Sequence, residues 1–385
     1  MSSSAAWIHP VPRIGEAERT ERLDRLRALL EAEGLGGLLL GSTESLRYFT
    51  GLVWHASERF CGALVTRDRL IYIVPGFEHS RVETLPRLAG DILPWQEEEE
   101  PVALVADLLG PAGTLALDEQ LPLFQYHRLA RALGVDRLRD GGPVVSRLRM
   151  RKSAAEIALI RHAMGLTLGV HQSVRSMMRP GIRASEVVTY IDAEHRRLGA
   201  DDGSNFAIVS FGAATALPHG ADGEQTLRDG DVILVDTGCR LDGYHSDLTR
   251  TYVHGTPSAE VERIWRIERE AQDAVFAAAR IGVPCSALDD AARAVLGCHG
   301  LGPDYRLPGL PHRAGHGLGL EIHEAPYIVR GNDTPLEAGM CFSVEPMIVV
   351  PERFGIRLED HVYMTDDGPE WFTQLDDRPA VARMS

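Results

Sequence analysis

The chain has no stretch that a bilayer would hold. Its longest aliphatic run near the N-terminus, Leu35 to Leu40, contains two glycines and falls far short of the roughly 20 apolar residues of a spanning helix. The opening "MSSSAAWIHPVPR" lacks the cationic start and apolar core of a secretory signal. Cysteine is scarce. The five present, Cys61, Cys239, Cys285, Cys298 and Cys341, are odd in number and have no CxxC spacing. That pattern argues against a cysteine zinc site and fits reduced, mostly buried thiols in a cytoplasmic protein. An excess of positive charge is missing as well: 40 basic against 55 acidic residues leave a net charge of −15. Neither nucleic acid nor an anionic membrane surface is therefore expected as a partner. There is no low-complexity segment and no short repeat. What remains is a soluble globular composition, 44% hydrophobic and 25% charged, over 385 residues, enough for two domains with cores of their own.

The patterning divides the chain near residue 150. Residues 16–33 read as an amphipathic helix with Leu23, Leu26, Leu29 and Leu30 on one stripe, stopped by Gly34. Short apolar runs follow at Gly37 to Leu40, Gly62 to Val65, Leu70 to Val74 and Thr114 to Leu117, with helical stretches between some of them. This alternation predicts an α/β domain over 1–150. The acidic run "QEEEEP" at 96–101 reads as a solvated loop or helix start. From 151 to 385 the texture is α+β. A long helix opens with Ser153 and Glu156 at capping-box spacing. Further helices start at Ser185 and at Thr256-Pro257, the latter ending near Gly282, and strands are expected at 205–211, 231–239, 244–253, 340–350 and 355–364.

In the stretch "VDTGCRLDGYHSDLTRT", 235–251, an apolar strand runs straight into acids. Asp242-Gly243 marks a hairpin turn. A four-residue loop, Arg240 to Gly243, sets Asp236 directly opposite Asp247; a two-residue loop, Asp242-Gly243, makes them diagonal neighbours. In both registers the two acids share a face, and a divalent cation between them would relieve their repulsion. Asp242 is then only the turn residue. The other reading is an exposed acid pair on a solvated sheet face.

"HRAGHGLGLEIHEAP", 312–326, places His312, His316 and His323 among glycines, which permit close backbone approach, and imidazole is a common ligand of divalent transition metals. "CFSVEPMIVV" carries Glu345 and "FGIRLEDHVYM" carries Glu359 within apolar strands, where a carboxylate is costly unless paired or ligated. Each could also be a surface acid on the outer face. Together, Asp236, Asp247, one histidine, Glu345 and Glu359 form an oxygen-rich set sufficient for two divalent ions of the Mn, Co or Zn kind, which can share a hydroxide in a hydrolytic displacement.

These strings, in this order, resemble the pita-bread metallopeptidases: methionine aminopeptidase, aminopeptidase P and prolidase. The resemblance runs over about 152–370. The first 150 residues, with "LRYFTG" at 46–51, resemble the creatinase-type N-terminal domain of the proline-directed branch, which methionine aminopeptidases lack. The resemblance implies an α/β N-terminal domain for substrate access and dimerisation, followed by an α+β pita-bread catalytic domain. It implies five metal ligands, Asp236, Asp247, His316, Glu345 and Glu359, and two divalent ions, manganese first and cobalt or zinc as alternatives. A metal-bridging hydroxide would be the nucleophile. Asp236 would chelate one ion, Asp247 and Glu359 would bridge, and His316 and Glu345 would complete the other, Glu345 doubling as acid/base.

His219, in "LPHG", would steady the tetrahedral intermediate, and His323 would sit near the scissile amide. Four residues would serve substrate binding. His312 would lie by the prolyl side, Arg357 would orient a bridging carboxylate, Tyr244 would orient Asp247, and Trp54, in "GLVWHASERF", would reach across a homodimer interface into the partner's site. The implied substrate is a proline-containing dipeptide or short peptide. Prolidase and aminopeptidase P both remain open, as do a same-fold hydrolase or lyase of a small metabolite and a peptide-binding module without activity.

Overall fold

The architecture comes from a computed structural model of the chain, which describes residues 13–376 and 380–382. The opening stretch read above for a targeting signal, up to Pro12, lies outside the described residues. The chain divides into two compact units, one of Ile14–Arg149 and one of Met150 onward, with which Arg13 groups.

In the first unit the helix α1 (Glu16–Ala32) ends before Gly34, which takes φ +67°, open to glycine without strain. Leu23, Leu26 and Leu30 of its stripe are buried, while Leu29 is half-buried. Then follow β1 (Gly37–Leu40), α2 (Glu44–Thr50), β2 (Gly62–Thr66), β3 (Leu70–Pro75), α3 (His79–Thr84), β4 (Asp91–Trp95), α4 (Pro101–Leu109), β5 (Leu115–Leu117), α5 (Leu123–Leu133), β6 (Leu138–Asp140) and α6 (Gly142–Arg149). The strands form one six-stranded mixed sheet in the order β4-β3-β2-β1-β5-β6. Short, fully buried strands such as Gly37–Leu40 read as unbroken apolar runs because both sheet faces are covered. The acidic run ends where Pro101 opens α4.

The second unit opens with α7 (Ala154–Met177), capped reciprocally by Ser153 and Glu156, and α8 (Ala184–Leu198). Next come β7 (Ser204–Phe211), β8 (Val232–Leu241), β9 (Tyr244–His245) and β10 (Leu248–His254), then α9 (Ala259–Ala278), capped by Ser258. After it stands α10 (Cys285–Cys298), which was not among the helices expected from the sequence. The remaining strands are β11 (Gly315–Gly317), β12 (Glu324–Ile328), β13 (Cys341–Val344), β14 (Met347–Val350), β15 (Phe354–Arg357), β16 (Asp360–Thr365), β17 (Gly368–Trp371) and β18 (Ala380–Ala382).

Two five-stranded sheets result. One holds β18-β10-β8-β7 with β9 on β8; the other runs β12-β11-β13-β16-β17; β14 and β15 pair separately. Alternation along β8 sends Ile233 and Val235 into a core with α7 and α8, and Val232 and Leu234 into a core with α9 and α10. The sheet is thus buried on both faces, and the strand ends carry the polar groups. This is the pita-bread fold. Among the described residues no helix is long and apolar enough to cross a membrane.

The hairpin turn is the two-residue one. Arg240 pairs with His245 and Leu241 with Tyr244, and Asp242 and Gly243 take φ +47° and +81°, as a type I′ turn requires. Asp236 therefore stands opposite Thr249, and Asp247 is its diagonal neighbour.

Candidate metal centre and substrate pocket

Three local devices bring the acids and imidazoles together. The hairpin supplies Asp236 and, where its second strand is interrupted between β9 and β10, Asp247. The strand β11 presents His316, and it approaches β13 very closely. A Cβ on Gly315 would lie 2.0 Å from the Ser343 carbonyl oxygen, so only glycine fits there. The close approach lets the His316 N–H donate to Ser343 Oγ (2.9 Å). Finally, Glu345 follows β13 and Glu359 precedes β16, at the ends of buried strands.

Their geometry is tight. His316 Nε2 lies 3.1 Å from Glu345 Oε1 and 3.7 Å from Asp247 Oδ2. Its Nδ1 donates to the Gly317 carbonyl (3.0 Å), which fixes the tautomer and leaves Nε2 for a ligand. Ligand atoms converge within 4.8 Å in three groups: Asp247, His316 and His323; His316, Glu345 and Glu359; and Asp247, Glu359 and His361. Asp236 joins through Asp247, which it faces within hydrogen-bonding reach, but one of its oxygens is held by Arg357.

Arg357 was expected on a bridging carboxylate; its guanidinium bonds Asp236 Oδ2 directly. It reaches Glu359 only through Thr249, whose hydroxyl accepts from Arg357 Nε (3.0 Å) and donates to Glu359 Oε2 (2.7 Å). The reason is the register: Thr249 stands opposite Asp236 and is bridged to Glu359, so it lies between the two acids.

The electrostatics are those of an anion cluster short of positive charge. Burial pushes Asp247 and Glu359 well above the usual carboxylate range, and neighbouring carboxylates add to it. Burial raises Asp236 too, against the pull of Arg357. Glu345 is the exception. Burial opposes its ionisation, but the hydrogen bond and charge of His316 outweigh burial and hold it below the usual range. Asp236 Oδ1 and Glu359 Oε1 are buried without a hydrogen-bond partner. Orphaned oxygens aimed into one small space, with imidazole beside them, fit divalent transition ions.

Above this floor lies a cavity of about 500 Å³ lined by His219, His312, Arg313, His316, His323, Glu345 and Arg357, with Pro218 and Pro311. Its wall is held by α10. In α10 the buried pair Asp289–Arg293 (2.6 Å) clamps the 310–314 loop: Arg293 donates to the carbonyls of Leu310 and His312, and Asp289 accepts from Ala314 N–H. His312 donates Nδ1–H to the Arg313 carbonyl (2.7 Å), and burial lowers its proton affinity, so the ring is neutral with Nε2 an acceptor. Such a ring is no clamp for an anion. The cation beside it is Arg313. Its guanidinium stacks on Tyr327 at 4.4 Å and has no carboxylate partner among the described residues. His323 packs edge-on against His316 at 4.1 Å; partial burial, then the charge of His316, push it down to about 4. Behind it Glu324 is pinned by a buried ion pair to Lys152 (2.7 Å).

One expected residue is elsewhere. The Tyr244 hydroxyl donates to Glu156 at the start of α7 (2.9 Å) and does not line the cavity, because the turn register points it to the helix. Trp54 belongs to the other unit, where its ring lies 4.9 Å from the Arg81 guanidinium. Conversely, Thr249, Ser343, Arg313 and His361 went unremarked. Thr249 and His361 sit two residues from a named acid in a strand, a spacing that puts them on the same face.

A carboxylate-rich floor beneath a histidine-lined pocket, on a pita-bread scaffold, defines a metallopeptidase. Comparison with known proteins gives the family. Residues 158–366 match metallopeptidase family M24, and residues 22–151 match the creatinase/prolidase N-terminal domain. The chain belongs to metallopeptidase family M24. It is 36% identical over 360 residues to the protein named "Probable dipeptidase PepE" of Mycobacterium tuberculosis (strain ATCC 25618 / H37Rv), covering 92% of this chain and 94% of that one. The crystal structure of dipeptidase PepE from Mycobacterium ulcerans superposes with a TM-score of 0.90 at 34% identity, over 96% of this chain and all of that one. An Xaa-Pro dipeptidase from Bacillus anthracis follows at TM-score 0.84 and 29% identity, over 94% of this chain and 99% of that one.

Proposed function

We propose that the chain is a dinuclear-metal exopeptidase that hydrolyses the Xaa-Pro bond of dipeptides. One observation carries this reading: four of the five candidate ligands converge beside the cavity, Asp236 adjoins them through Asp247, and the only unpaired cation among the described residues lining the cavity is Arg313. The relatives named as dipeptidases support it. Asp236, Asp247, His316, Glu345 and Glu359 would hold two divalent ions, manganese first and cobalt or zinc as alternatives. Bound there, the ions would supply Lewis acidity to the scissile carbonyl and the attacking water.

The side chains do the rest. Glu345, kept ionised beside His316, takes the proton of the attacking water and passes it to the leaving nitrogen. His219 and His323, facing the same space, donate to the oxygen that becomes negative. Arg313, held flat on Tyr327, receives the substrate's free carboxylate as a fork. Proline suits this pocket because it brings no amide N–H; another residue there would bury an unpartnered donor at about 1–3 kcal/mol.

The test is kcat/KM for Ala-Pro, Ala-Ala, Ala-Pro-amide and Ala-Pro-Ala under one metal condition. Ala-Pro should lead Ala-Ala by roughly tenfold or more. Equal rates for those two would end the proline assignment, and a faster tripeptide would make the protein an aminopeptidase P. All five thiols are free, four of them buried, which supports a reducing, cytoplasmic location. We further assign the N-terminal unit to dimerisation and substrate access, with Trp54 reaching the partner's pocket; sedimentation of the full chain and Trp54→Ala kinetics test both parts.

A further inference from the structure

His361 has no place in the five-ligand set, yet it is one of the buried polar groups of the second unit left without a hydrogen-bond partner. Strand alternation puts it on the same face as Glu359, two residues earlier, and pairing of β16 with β13 sets it opposite Ser343, whose hydroxyl accepts from His316 N–H. Its side chain is fully buried, at 0% exposure; the ring faces the backbone of Asp247, but neither ring nitrogen makes a hydrogen bond of good geometry. Among the described residues no other buried histidine has both ring nitrogens unpartnered. A buried imidazole in that state is costly and calls for something to complete it.

What faces it is specific. A ring nitrogen of His361 and one oxygen each of Asp247 and Glu359 lie within 4.8 Å of one another, and Glu359 Oε1 is itself buried without a partner. The ring of His316 stands 6.1 Å away at 71°. A nitrogen and two oxygens, all buried and convergent, make half of a coordination shell. As they stand they do not make a hydrogen-bonded network: Glu359 Oε1 and both imidazole nitrogens are left unpartnered.

We propose that His361 is a direct metal ligand, an imidazole donor to the ion that Asp247 and Glu359 share. This rests on the metal-centre reading above. The donor set becomes four carboxylates and two imidazoles, and the second nitrogen favours cobalt or zinc over manganese at that position.

The experiment uses the full chain, stripped of metal, labelled with 15N at histidine and titrated with Co(II). Imidazole N–H protons of ligating histidines give exchangeable, hyperfine-shifted resonances. Two are expected in the wild type, one in His361→Gln, with Co(II) affinity in the variant at least tenfold weaker and Mn(II) affinity changed less. The wild-type count decides the matter even if the variant does not fold. One shifted resonance in the wild type overturns the assignment, whether or not affinity falls in the variant; a fall without the second resonance makes His361 a positioning residue. Unchanged affinity in a folded His361→Gln overturns it too. A wild type that binds no Co(II) overturns the metal-centre reading and this inference with it, whereas two bound ions with one shifted imidazole sink only His361.

Discussion

Replacing Arg313 by glutamine removes the one cation of the cavity wall that is not already engaged. Arg357, the other arginine there, is buried against Asp236. Stacking on Tyr327 at 4.4 Å holds the Arg313 guanidinium flat, so little side-chain freedom is lost when a carboxylate arrives. A hydrogen bond to a charged group contributes about 1.5–3 kcal/mol, which is roughly a ten- to hundredfold effect on kcat/KM. Arg313 is only half-buried, so screening places the effect at the lower end in physiological salt. The assay pairs the substitution with its chemical counterpart: Ala-Pro and Ala-Pro-amide, each with wild type and Arg313→Gln. The wild type should prefer the free acid, and the variant should lose that preference while hydrolysing the amide at nearly the original rate. Equal losses on both substrates would refute the reasoning, because a damaged pocket does not distinguish a carboxylate from an amide.

Glu345→Gln keeps the side-chain volume but removes the proton acceptor, and kcat should fall on the order of a hundredfold or more; a kcat within a few-fold of wild type would mean another group activates the water. Asp236→Ala and Asp247→Ala should each abolish metal-dependent hydrolysis, whereas Asp242→Asn should be silent, since asparagine tolerates the φ of +47° at the turn; substantial loss in a folded Asp242→Asn would break that division. Glu268 offers a test by pH. Its carboxyl is fully buried with neither oxygen hydrogen-bonded by a side chain, and burial raises its pKa well above the usual range. It holds its proton to higher pH in the fold than in the unfolded chain, which ionises near 4.3, so above that value the unfolded state binds fewer protons and stability falls as pH rises, by up to about 1.4 kcal/mol per pH unit. Glu268→Gln should therefore gain on wild type as pH increases from 5 to 7 in denaturant melts of the metal-free protein; a constant difference across that range contradicts the assignment.

Much of the molecule was legible before any coordinates. Acids interrupting apolar strands, as at Asp236, Glu345 and Glu359, are visible because such residues are costly there unless they have partners. The capping box at Ser153 and Glu156 and the Asp242-Gly243 turn are local codes, read within four residues and found as written. The division of the chain near residue 150 follows from a change in periodicity, which is also a local property. Helix α10, the element that holds the His312 loop, was legible too, since Leu288, Ala292 and Leu296 recur at helical spacing on its buried face.

Partners were another matter. Nothing near Arg357 in the chain says that it will grip Asp236, 121 residues away, rather than a bridging acid. Thr249 acquires its place between Arg357 and Glu359 only because a two-residue turn sets the register, and the four-residue alternative would have moved every side chain of that strand along its partner. Alternation alone puts His361 on the face of Glu359, but whether that face meets solvent or the acids of another strand depends on how two sheets pack. The sequence by itself determined which residue types had to be brought together, since burying them apart would be too costly. Only the tertiary structure decided which of them touch, because strand register and sheet packing act between residues a hundred positions apart, where no local pattern reaches.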